Sequence, residues 1–216
     1  MKLTNQRVLI TGAAGFVGAN LLHTLINKYH QAKPYLILRH TTNTWRIKNL
    51  LKKVKVINCD LSDAGTLKKE LKKIKPDIIW HLAAYGAYSR DADLTKAVQT
   101  NIVGLTNLLT ALEGIDYQLL VNTGSSSEYG YKSKPMKETD LLEPNSFYSA
   151  TKSSATLIAS TYGKLNHKPI VTLRLFSVYG PYEEPGRLIP TVCLRALSNQ
   201  QIDVVPGKPT RDFVYI

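Results

Sequence analysis

The chain has 216 residues and a formal net charge of +12, with 44% apolar and 20% charged residues. This length suits one large domain, or one domain with part of another, and the composition provides a substantial core. No apolar run is long enough to span a membrane, and the N-terminus runs directly into a predicted strand, which leaves no room for a signal peptide. The two cysteines, Cys59 and Cys193, lack metal-ligand or disulfide spacing, so we expect a reducing, cytoplasmic location and no metal.

The positive charge is unevenly distributed along the chain. The first acidic residue is Asp60, and ten basic residues precede it. We interpret most of them as a solvated basic face, although they also favour an anionic ligand such as a phosphorylated cofactor or a nucleotide sugar. Nucleic-acid binding would need interleaved aromatic residues or a known motif. Neither is present, and we expect no nucleic-acid partner.

Short apolar strands alternate with amphipathic helices throughout. Strands are predicted at 8–10, 35–39, 54–59, 77–81, 117–121, 170–174 and 202–205. Helices are predicted from residue 16 onward and at 67–74, 97–112, 146–165 and 188–197. This alternation predicts an α/β fold, a Rossmann-type doubly wound parallel sheet with helices on both faces. The Pro- and Gly-rich stretch at 180–190 is the longest irregular segment and the best candidate for a loop that covers a ligand.

Three glycines at a spacing of three follow the first strand. Gly12, Gly15 and Gly18 are flanked by the apolar strand 8–10 and by a helical pattern that begins at Phe16. Such a turn lets a pyrophosphate approach bare backbone at a helix N-terminus, where unpaired N–H groups point outward. Gly-rich turns also occur for structural reasons alone, but a strand before and a helix after this one predict a dinucleotide site.

The second predicted strand ends in Arg39 rather than in a carboxylate. Folds that take NAD usually have Asp or Glu at this point, to hold the ribose 2′-hydroxyl. An arginine suits a 2′-phosphate by its charge and its planar set of donors, so we favour NADP over NAD. The alternative is that Arg39 faces solvent. Arg46 is a possible second phosphate contact, but we prefer a place on a helix surface.

Tyr148 and Lys152 lie four residues apart on the predicted helix 146–165 and therefore share a face. A lysine beside a phenol lowers the pKa of the tyrosine, which makes Tyr148 a plausible general base toward a sugar hydroxyl. A run of serines, 125–127, follows the strand at 117–121. A hydroxyl there could bond the same reacting oxygen, although a simple polar turn explains the run as well.

Several motifs occur together and in order. They are Thr11-Gly12-x-x-Gly15-x-x-Gly18, Asp60-Leu61, His81-Leu82-Ala83-Ala84, Asn101 with Gly104, the serine run before Tyr129-Gly130, Tyr148-x-x-x-Lys152, Arg174 with Val178-Tyr179-Gly180-Pro181, and Arg211-Asp212-Phe213-Val214-Tyr215-Ile216. In these motifs the chain resembles the extended short-chain dehydrogenase/reductases, specifically the NAD(P)-dependent epimerase/dehydratase group that acts on nucleotide sugars. The resemblance runs from the first strand to the last residue.

The resemblance implies a role for each matched position. Tyr148 would be the catalytic acid or base, Lys152 would hold the nicotinamide ribose, and Ser125 would be the catalytic hydroxyl, with Ser126 as the fallback. The residues expected to contact the cofactor are Gly12, Ala14, Gly15, Phe16, Val17, Gly18, Arg39, Asp60, Leu61, Leu82, Ala83, Ala84, Asn101, Tyr148 and Lys152. The residues expected to contact the substrate are Ser126, Ser127, Arg187 and Arg211. For the two arginines, a surface or loop-anchoring role is nearly as good an explanation.

The implied activity is hydride transfer at a sugar carbon, as a nucleotide-sugar epimerase or 4-ketoreductase. Sugar 4,6-dehydratases of this family usually carry an acidic pair directly after the catalytic threonine. Here Ser126 and Ser127 stand in those places and Glu128 comes one position late, which disfavours dehydration. Arg39 favours NADP as the cofactor, and this slightly favours a reductase over an epimerase.

Members of this family usually continue well beyond a strand such as 211–216. We therefore expect a NAD(P)-binding Rossmann domain at 1–175 and an incomplete substrate-binding part at 176–216. A non-catalytic dinucleotide-binding sensor is the alternative, against which the set Ser125, Tyr148 and Lys152 argues. The family often forms homodimers through two helices, for which 97–112 and 146–165 are the candidates, unless both are covered within the monomer.

Overall fold

The computed structural model describes residues 3–87, 93–203 and 211–216. The strands in these ranges are β1 (Arg7–Thr11), β2 (Lys33–Leu38), β3 (Lys55–Asn58), β4 (Ile78–His81), β5 (Leu119–Ser125), β6 (Ile170–Leu175), β7 (Ser177–Tyr179) and β8 (Phe213–Tyr215). The helices are α1 (Phe16–Lys28), α2 (Ala64–Ile74), α3 (Leu94–Val98), α4 (Gly104–Ala111), α5 (Phe147–Leu165) and α6 (Leu188–Leu197), with 3₁₀ helices at Lys48–Lys53 and Ser126–Tyr129 and a π-helical segment at Gln99–Val103. None of the helices in the described ranges is long and apolar enough to cross a membrane.

Six parallel strands form the central sheet in the order β3-β2-β1-β4-β5-β6. In the register, Thr11 at the end of β1 lies opposite Ile37 of β2 and His81 of β4. The strand order reverses between β1 and β4, and in such a sheet ligands bind beyond the carboxyl ends of the strands at that point. The predicted doubly wound parallel sheet is confirmed.

The sheet is apolar on both faces because the strands are buried between two layers of helices. Along β1, Leu9 packs into a core formed with α2, α4 and α5. Val8 and Ile10 point to the opposite face and pack with α1 and the segment around Leu50. All three β1 side chains are almost fully buried, which explains why this strand is continuously apolar rather than alternating.

Two helices begin earlier than their apolar periodicity predicts, because an aspartate caps each of them. The Asp63 side chain accepts from the backbone N–H of Thr66 at 3.0 Å, so α2 begins at Ala64 instead of residue 67. Asp93 accepts from Lys96 N–H at 3.0 Å and starts α3 before residue 97. Such caps satisfy N–H groups that the first helical turn leaves unpaired.

The predicted helix 97–112 is interrupted in the structure. The backbone passes from α3 through the π-helical segment into α4, and this segment carries Asn101, which is buried. A π-turn inserts one extra residue and reorients the side chains around it. The interruption follows from the tertiary contacts of Asn101, which periodicity does not encode.

The part after β6 forms a separate two-stranded parallel sheet of β7 and β8. The boundary between domains at residue 175 stays a prediction. The irregular segment predicted at 180–190 ends at Arg187, because α6 already begins at Leu188 and its first turn tolerates Pro190. Of the strand predicted at 202–205, the first two residues are not in a strand and the other two lie outside the described residues.

Candidate cofactor and catalytic site

Two connected cavities lie along the carboxyl ends of the strands. The β2-side cavity has a volume of about 650 Å³ and is lined by residues that include Arg39 and Asp60. The β5-side cavity has a volume of about 800 Å³ and is lined by residues that include Ser125 and Tyr148. Both are lined by Gly12, Gly15, Leu82 and Ala84. They are therefore two halves of one cleft that crosses the glycine turn.

The glycine turn is built from backbone packed against backbone. Gly12 has a φ of +71°, and a Cβ there would lie 2.5 Å from the backbone nitrogen of Ala83. A Cβ at Gly18 would lie 2.3 Å from the carbonyl oxygen of Gly12, so Gly18 lets the helix pack directly on the turn. Neither contact can be relieved by rotating a side chain.

The N-terminus of α1 is open toward the cleft. The helix begins at Phe16, and among the described residues no side chain caps it and no acidic residue stands in its first turn. Phe16, Val17 and Gly18 line the β5-side cavity, and Ala14 lines the β2-side cavity. The unpaired N–H groups and the positive end of the helix dipole fit a pyrophosphate at this point.

The end of β2 forms a polar corner of the β2-side cavity. The backbone N–H of Arg39 donates to Thr42 Oγ1 at 3.1 Å, and Thr42 N–H donates to the Arg39 carbonyl at 3.0 Å. Asp60 accepts from both Ser62 N–H and Ser62 Oγ, at 2.9 and 2.8 Å. The Ser62 backbone bond lowers the pKa of Asp60 most, and the charge of Arg39 contributes to the lowering. Leu61 and Ala83 complete the apolar wall of the same cavity.

A buried polar pair between the first residues of two of the quoted motifs, Thr11 and His81, fixes the wall after β4. Thr11 Oγ1 lies 2.8 Å from His81 Nδ1 and also accepts from Ala83 N–H at 3.2 Å. The hydroxyl proton of Thr11 is therefore available to His81. Burial lowers the pKa of His81 to about 3, with a smaller contribution from the charge of Lys152. A neutral His81 thus holds the 82–84 loop in place against the glycine turn.

Asn101 is not among the residues that line the two halves of the cleft, and its role as a cofactor contact stays a prediction. Its Nδ2 donates to the Tyr85 carbonyl at 3.0 Å and to Thr151 Oγ1 at 2.9 Å, while its Oδ1 accepts from Tyr85 N–H at 2.8 Å. Thr151 lies on α5 between Tyr148 and Lys152. Asn101 therefore ties the loop after β4 to the helix that carries the predicted catalytic residues.

The structure brings Ser125, Tyr148 and Lys152 together in the β5-side cavity. Ser125 is the last residue of β5, and its side chain lowers the pKa of the Tyr148 phenol. Ser125 Oγ accepts from Ser127 N–H at 3.2 Å, which leaves its own proton free to donate to the phenol oxygen. Ser126 and Ser127 line the same cavity. Of these three serines, Ser125 is the one that acts on the pKa of Tyr148, and its catalytic role stays a prediction.

Burial has the largest effect on the pKa values of both Tyr148 and Lys152. It raises the pKa of Tyr148, as does the charge of Glu128 to a smaller extent, while the Ser125 side chain and the charge of Arg187 offset part of that rise. Burial also lowers the pKa of Lys152 to about 8. The predicted lowering of the Tyr148 pKa by Lys152 is wrong for the free protein, because burial of the phenol raises the pKa and the groups that lower it are Ser125 and Arg187. At neutral pH Tyr148 carries its proton in the free protein.

Glu128 has a structural role, because hydrogen bonds to neighbouring residues occupy both of its carboxylate oxygens. It is fully buried, and its Oε1 accepts from the backbone N–H of Ser125 at 2.7 Å. Its Oε2 accepts from Arg174 Nε at 3.0 Å, and Arg174 Nη1 donates to the Tyr129 hydroxyl at 2.9 Å. The spacing Ser125-x-x-Glu128 is a capping box, a signal that was readable in the sequence. Glu128 is not available as a free acid for dehydration.

The segment between β7 and α6 and the residue Arg211 before β8 bring further charged groups to the β5-side cavity. Arg187 and Arg211 both line it, and Arg187 Nη2 donates to the Ala87 carbonyl at 3.2 Å. Glu183 also lines it, and its Oε2 is a buried oxygen with no hydrogen-bond partner among the described residues. Burial raises the pKa of Glu183. Glu183 carried no recognisable signal in the sequence.

Arg46 does not lie on a helix surface facing solvent, so the preferred prediction for it is wrong. Its side chain is only 11% exposed and forms an ion pair with Glu184 at 2.8 Å. Its Nε donates to the Tyr182 carbonyl at 2.8 Å. These two contacts join the segment after β2 to the segment after β7, a pairing that only the fold creates.

The family model for the NAD dependent epimerase/dehydratase family matches residues 8–216. Protein CapI of Staphylococcus aureus is 34% identical over 225 residues, covering 98% of this chain and 66% of that protein. A probable UDP-glucuronate 4-epimerase of Rhizobium meliloti is 32% identical over 98% of this chain and 65% of its own length. The chain thus spans about two thirds of these relatives.

Solved structures agree with the sequence comparison. A UDP-glucuronic acid 4-epimerase from Bacillus cereus, in complex with UDP-glucuronic acid and NAD, superposes with a TM-score of 0.79 at 30% identity, covering 97% of this chain and 69% of that one. A UDP-N-acetylglucosamine 4-epimerase from Methanobrevibacter ruminantium reaches a TM-score of 0.85 at 27% identity, covering 98% and 69%. The family predicted from the motifs is confirmed: the chain belongs to the NAD dependent epimerase/dehydratase family.

Proposed function

We propose that this chain carries the cofactor-binding and catalytic part of a nucleotide-sugar 4-epimerase or 4-ketoreductase that uses a nicotinamide dinucleotide. One observation carries the proposal. Ser125, Tyr148 and Lys152 meet in a cleft that continues over the open N-terminus of α1. The relatives named above as 4-epimerases support the same reaction class. A cytoplasmic location is part of the proposal, in keeping with the free Cys59 and Cys193.

The chain's own residues divide the chemistry between them. A nicotinamide bound in this cleft would accept a hydride from a sugar carbon or return it. Tyr148 holds the proton that the sugar oxygen loses or gains, and Ser125 orients that oxygen through its hydroxyl. Lys152 lies one turn along α5, where its ammonium can hold the nicotinamide ribose. Because Tyr148 is protonated in the free protein, it is set up to donate first, and acting as a base requires added positive charge nearby.

Dehydration is the least favoured of the family's reactions here. Eliminating water needs a placed acid and a placed base. Glu128, the carboxylate closest in sequence to Ser125, accepts hydrogen bonds through both oxygens from Ser125 N–H and Arg174. Ser126 and Ser127 supply hydroxyls only. Besides hydride transfer with a nicotinamide, epimerisation and keto-sugar reduction need only the proton held by Tyr148.

For the cofactor we propose a preference for NADP(H) over NAD(H). Arg39, Thr42 and Asn43 line the corner of the β2-side cavity and supply donors. The solved relatives from Bacillus cereus contain NAD, so the preference rests on this corner of the present chain. A 2′-phosphate would add a charge-assisted bond to Arg39, which corresponds to at least about tenfold in affinity.

Titration of the purified chain with NADPH and NADH, followed by nucleotide fluorescence, tests both the binding of a dinucleotide and the preference for NADP(H). We expect NADPH to bind at least about tenfold more tightly than NADH, and Arg39→Asp to reverse the order. Lys53→Asp makes the same charge change at an exposed lysine of the 3₁₀ helix and should leave the order unchanged. Binding of neither dinucleotide would refute the proposed function, whereas preference for NADH would refute only the role of Arg39.

Turnover is tested with UDP-glucuronate, UDP-glucose, UDP-N-acetylglucosamine and a 4-keto sugar nucleotide as substrates. Interconversion of C4 epimers without net oxidation of the cofactor identifies an epimerase, and consumption of NADPH identifies a reductase. Tight cofactor binding with no turnover of any of these would favour the sensor alternative and contradict a catalytic role for Tyr148.

We also propose that the protein self-associates through α3 and α5. Val98 on α3 and Leu157 and Leu165 on α5 are exposed apolar side chains, and such a surface favours a partner surface of the same kind. Light scattering coupled to size-exclusion chromatography should report a dimer, and Leu157→Asp should convert it to a monomer. A monomer at micromolar concentration would contradict the proposal.

A further inference from the structure

The segment of residues 180–187, which we call the strap, crosses the mouth of the cleft between β7 and α6. Glu183, Glu184, Gly186 and Arg187 of the strap line the β5-side cavity. So do residues at the N-terminus of α1, where the open N–H groups fit a pyrophosphate. The strap therefore encloses the same space that the middle of the dinucleotide would fill.

One edge of the strap is attached to α1. Asn20 Nδ2 donates to the Pro181 carbonyl at 2.8 Å. The His23 ring stacks on the Tyr182 ring, with 4.8 Å between centroids and 10° between planes. Tyr182 has a φ of +67°, a left-handed conformation that a tyrosine adopts only when its surroundings hold it there. The strap is thus fixed in a conformation that it would not keep alone.

Arg46 supplies the charged part of this attachment. It donates from Nε to the Tyr182 carbonyl at 2.8 Å and pairs through Nη2 with Glu184 Oε2 at 2.8 Å. Its guanidinium also lies 4.4 Å from the centre of the Trp45 ring. The Arg46 side chain is 11% exposed and the Glu184 side chain 38%, so water screens the pair from the Glu184 side only. The opposite edge of the strap is tied by the Arg187 bond to Ala87.

We propose that Arg46 is a positioning residue that latches the strap over the cleft and thereby sets the rate at which the bound dinucleotide leaves. This inference rests on the proposed function. A dinucleotide seated on the N-terminus of α1 can leave along the cleft only after the strap has lifted from α1. Lifting it breaks the Arg46–Glu184 pair and the bond to Tyr182. Slow release suits an epimerase, which oxidises and reduces the same cofactor molecule within one cycle.

A latch and a simple electrostatic effect predict opposite changes in the dissociation rate of the dinucleotide for the Glu184→Ala variant. Arg46→Ala removes a cation and Glu184→Ala removes an anion near an anionic ligand. If only the field mattered, the first would speed the release of the dinucleotide and the second would slow it. If the pair is a latch, both variants speed release, by about tenfold each, the loss expected for one charge-assisted hydrogen bond.

The experiment is a stopped-flow displacement of bound NADPH or NADH from the purified chain, monitored by nucleotide fluorescence. We expect Arg46→Ala and Glu184→Ala each to raise the dissociation rate, with the double variant no faster than the faster single one, because both remove the same latch. Glu184→Gln, which changes shape very little, should act in the same direction. Lys48→Ala, at an exposed lysine two residues from Arg46, is the control and should change the rate less than twofold.

Slower release from Glu184→Ala, or unchanged rates in both single variants with intact dinucleotide binding, would overturn the latch and leave the proposed function standing. A wild-type chain that binds neither dinucleotide would overturn the proposed function and the latch with it. Thermal unfolding of each variant shows that the fold is retained. If an alanine variant fails to fold, the Glu184→Gln rate decides the question.

Discussion

We expect the buried charge of Lys152 to lower the free energy of unfolding of the cofactor-free protein. Its side chain is 3% exposed on α5, and burial lowers its pKa from an ordinary value of 10.5 to about 8, against a smaller opposite effect of Glu128. A lowered pKa of a lysine means that the folded state disfavours its charge. Below pH 8 the lysine is charged in both the folded and the unfolded state. The folded protein is then destabilised by the full free energy of burying the charged ammonium.

That cost corresponds to about 3 kcal/mol, from the separation between the two pKa values. Between about pH 8 and pH 10.5 the unfolded chain binds more protons than the folded one. Stability attributable to this residue therefore rises with pH across that window. Lys152→Met removes the charge and keeps the length of the side chain. It should make the cofactor-free protein more stable at pH 7 by up to about 3 kcal/mol, while abolishing turnover.

Urea unfolding of wild type and Lys152→Met at pH 7, 8, 9 and 10 measures the difference, in which the other titrating groups cancel. We expect the difference to be largest at pH 7 and to shrink steadily above pH 8. Lys68→Met, at an exposed lysine of α2, should give a difference near zero throughout. A Lys152→Met protein less stable than wild type at pH 7, or a difference independent of pH, would refute the reasoning.

Three further predictions concern the Tyr148 hydroxyl, the buried carboxylate of Glu128 and Gly18 of the glycine turn. Tyr148→Phe should lower kcat by at least about 100-fold and change the dinucleotide dissociation constant by less than about twofold; normal turnover would remove Tyr148 from the mechanism. Glu128→Gln should lower the free energy of unfolding in urea by about 3 kcal/mol, because Arg174 loses its buried counter-charge, and a change near zero would contradict this. Gly18→Ala should weaken dinucleotide binding by at least about tenfold, because the new Cβ meets the Gly12 carbonyl at 2.3 Å; unchanged affinity in the fluorescence titration would show that the turn can yield.

Local signals carried the prediction of the sheet and of the central site residues. The apolar runs, the three glycines and the i,i+4 spacing of Tyr148 and Lys152 are all readable within a few residues, because hydrogen bonding and sterics act over that range. Even the bond of Glu128 to Ser125 belongs to a four-residue pattern that was present in the sequence. In the sequence Glu128 resembles a displaced acid, because its partner Arg174 lies 46 residues further on.

By itself, the sequence determined the order of the six strands of the central sheet, the glycine turn and the identity of the groups at the end of β5 and the beginning of α5. Only the tertiary structure decided the protonation of Tyr148, since desolvation depends on what packs around the phenol. The same holds for Arg46, which meets Glu184 across 138 residues of chain, and for Asn101, which a π-turn aims at the loop after β4. Pairs so distant in sequence are chosen by the packing of whole elements, and no local periodicity records them.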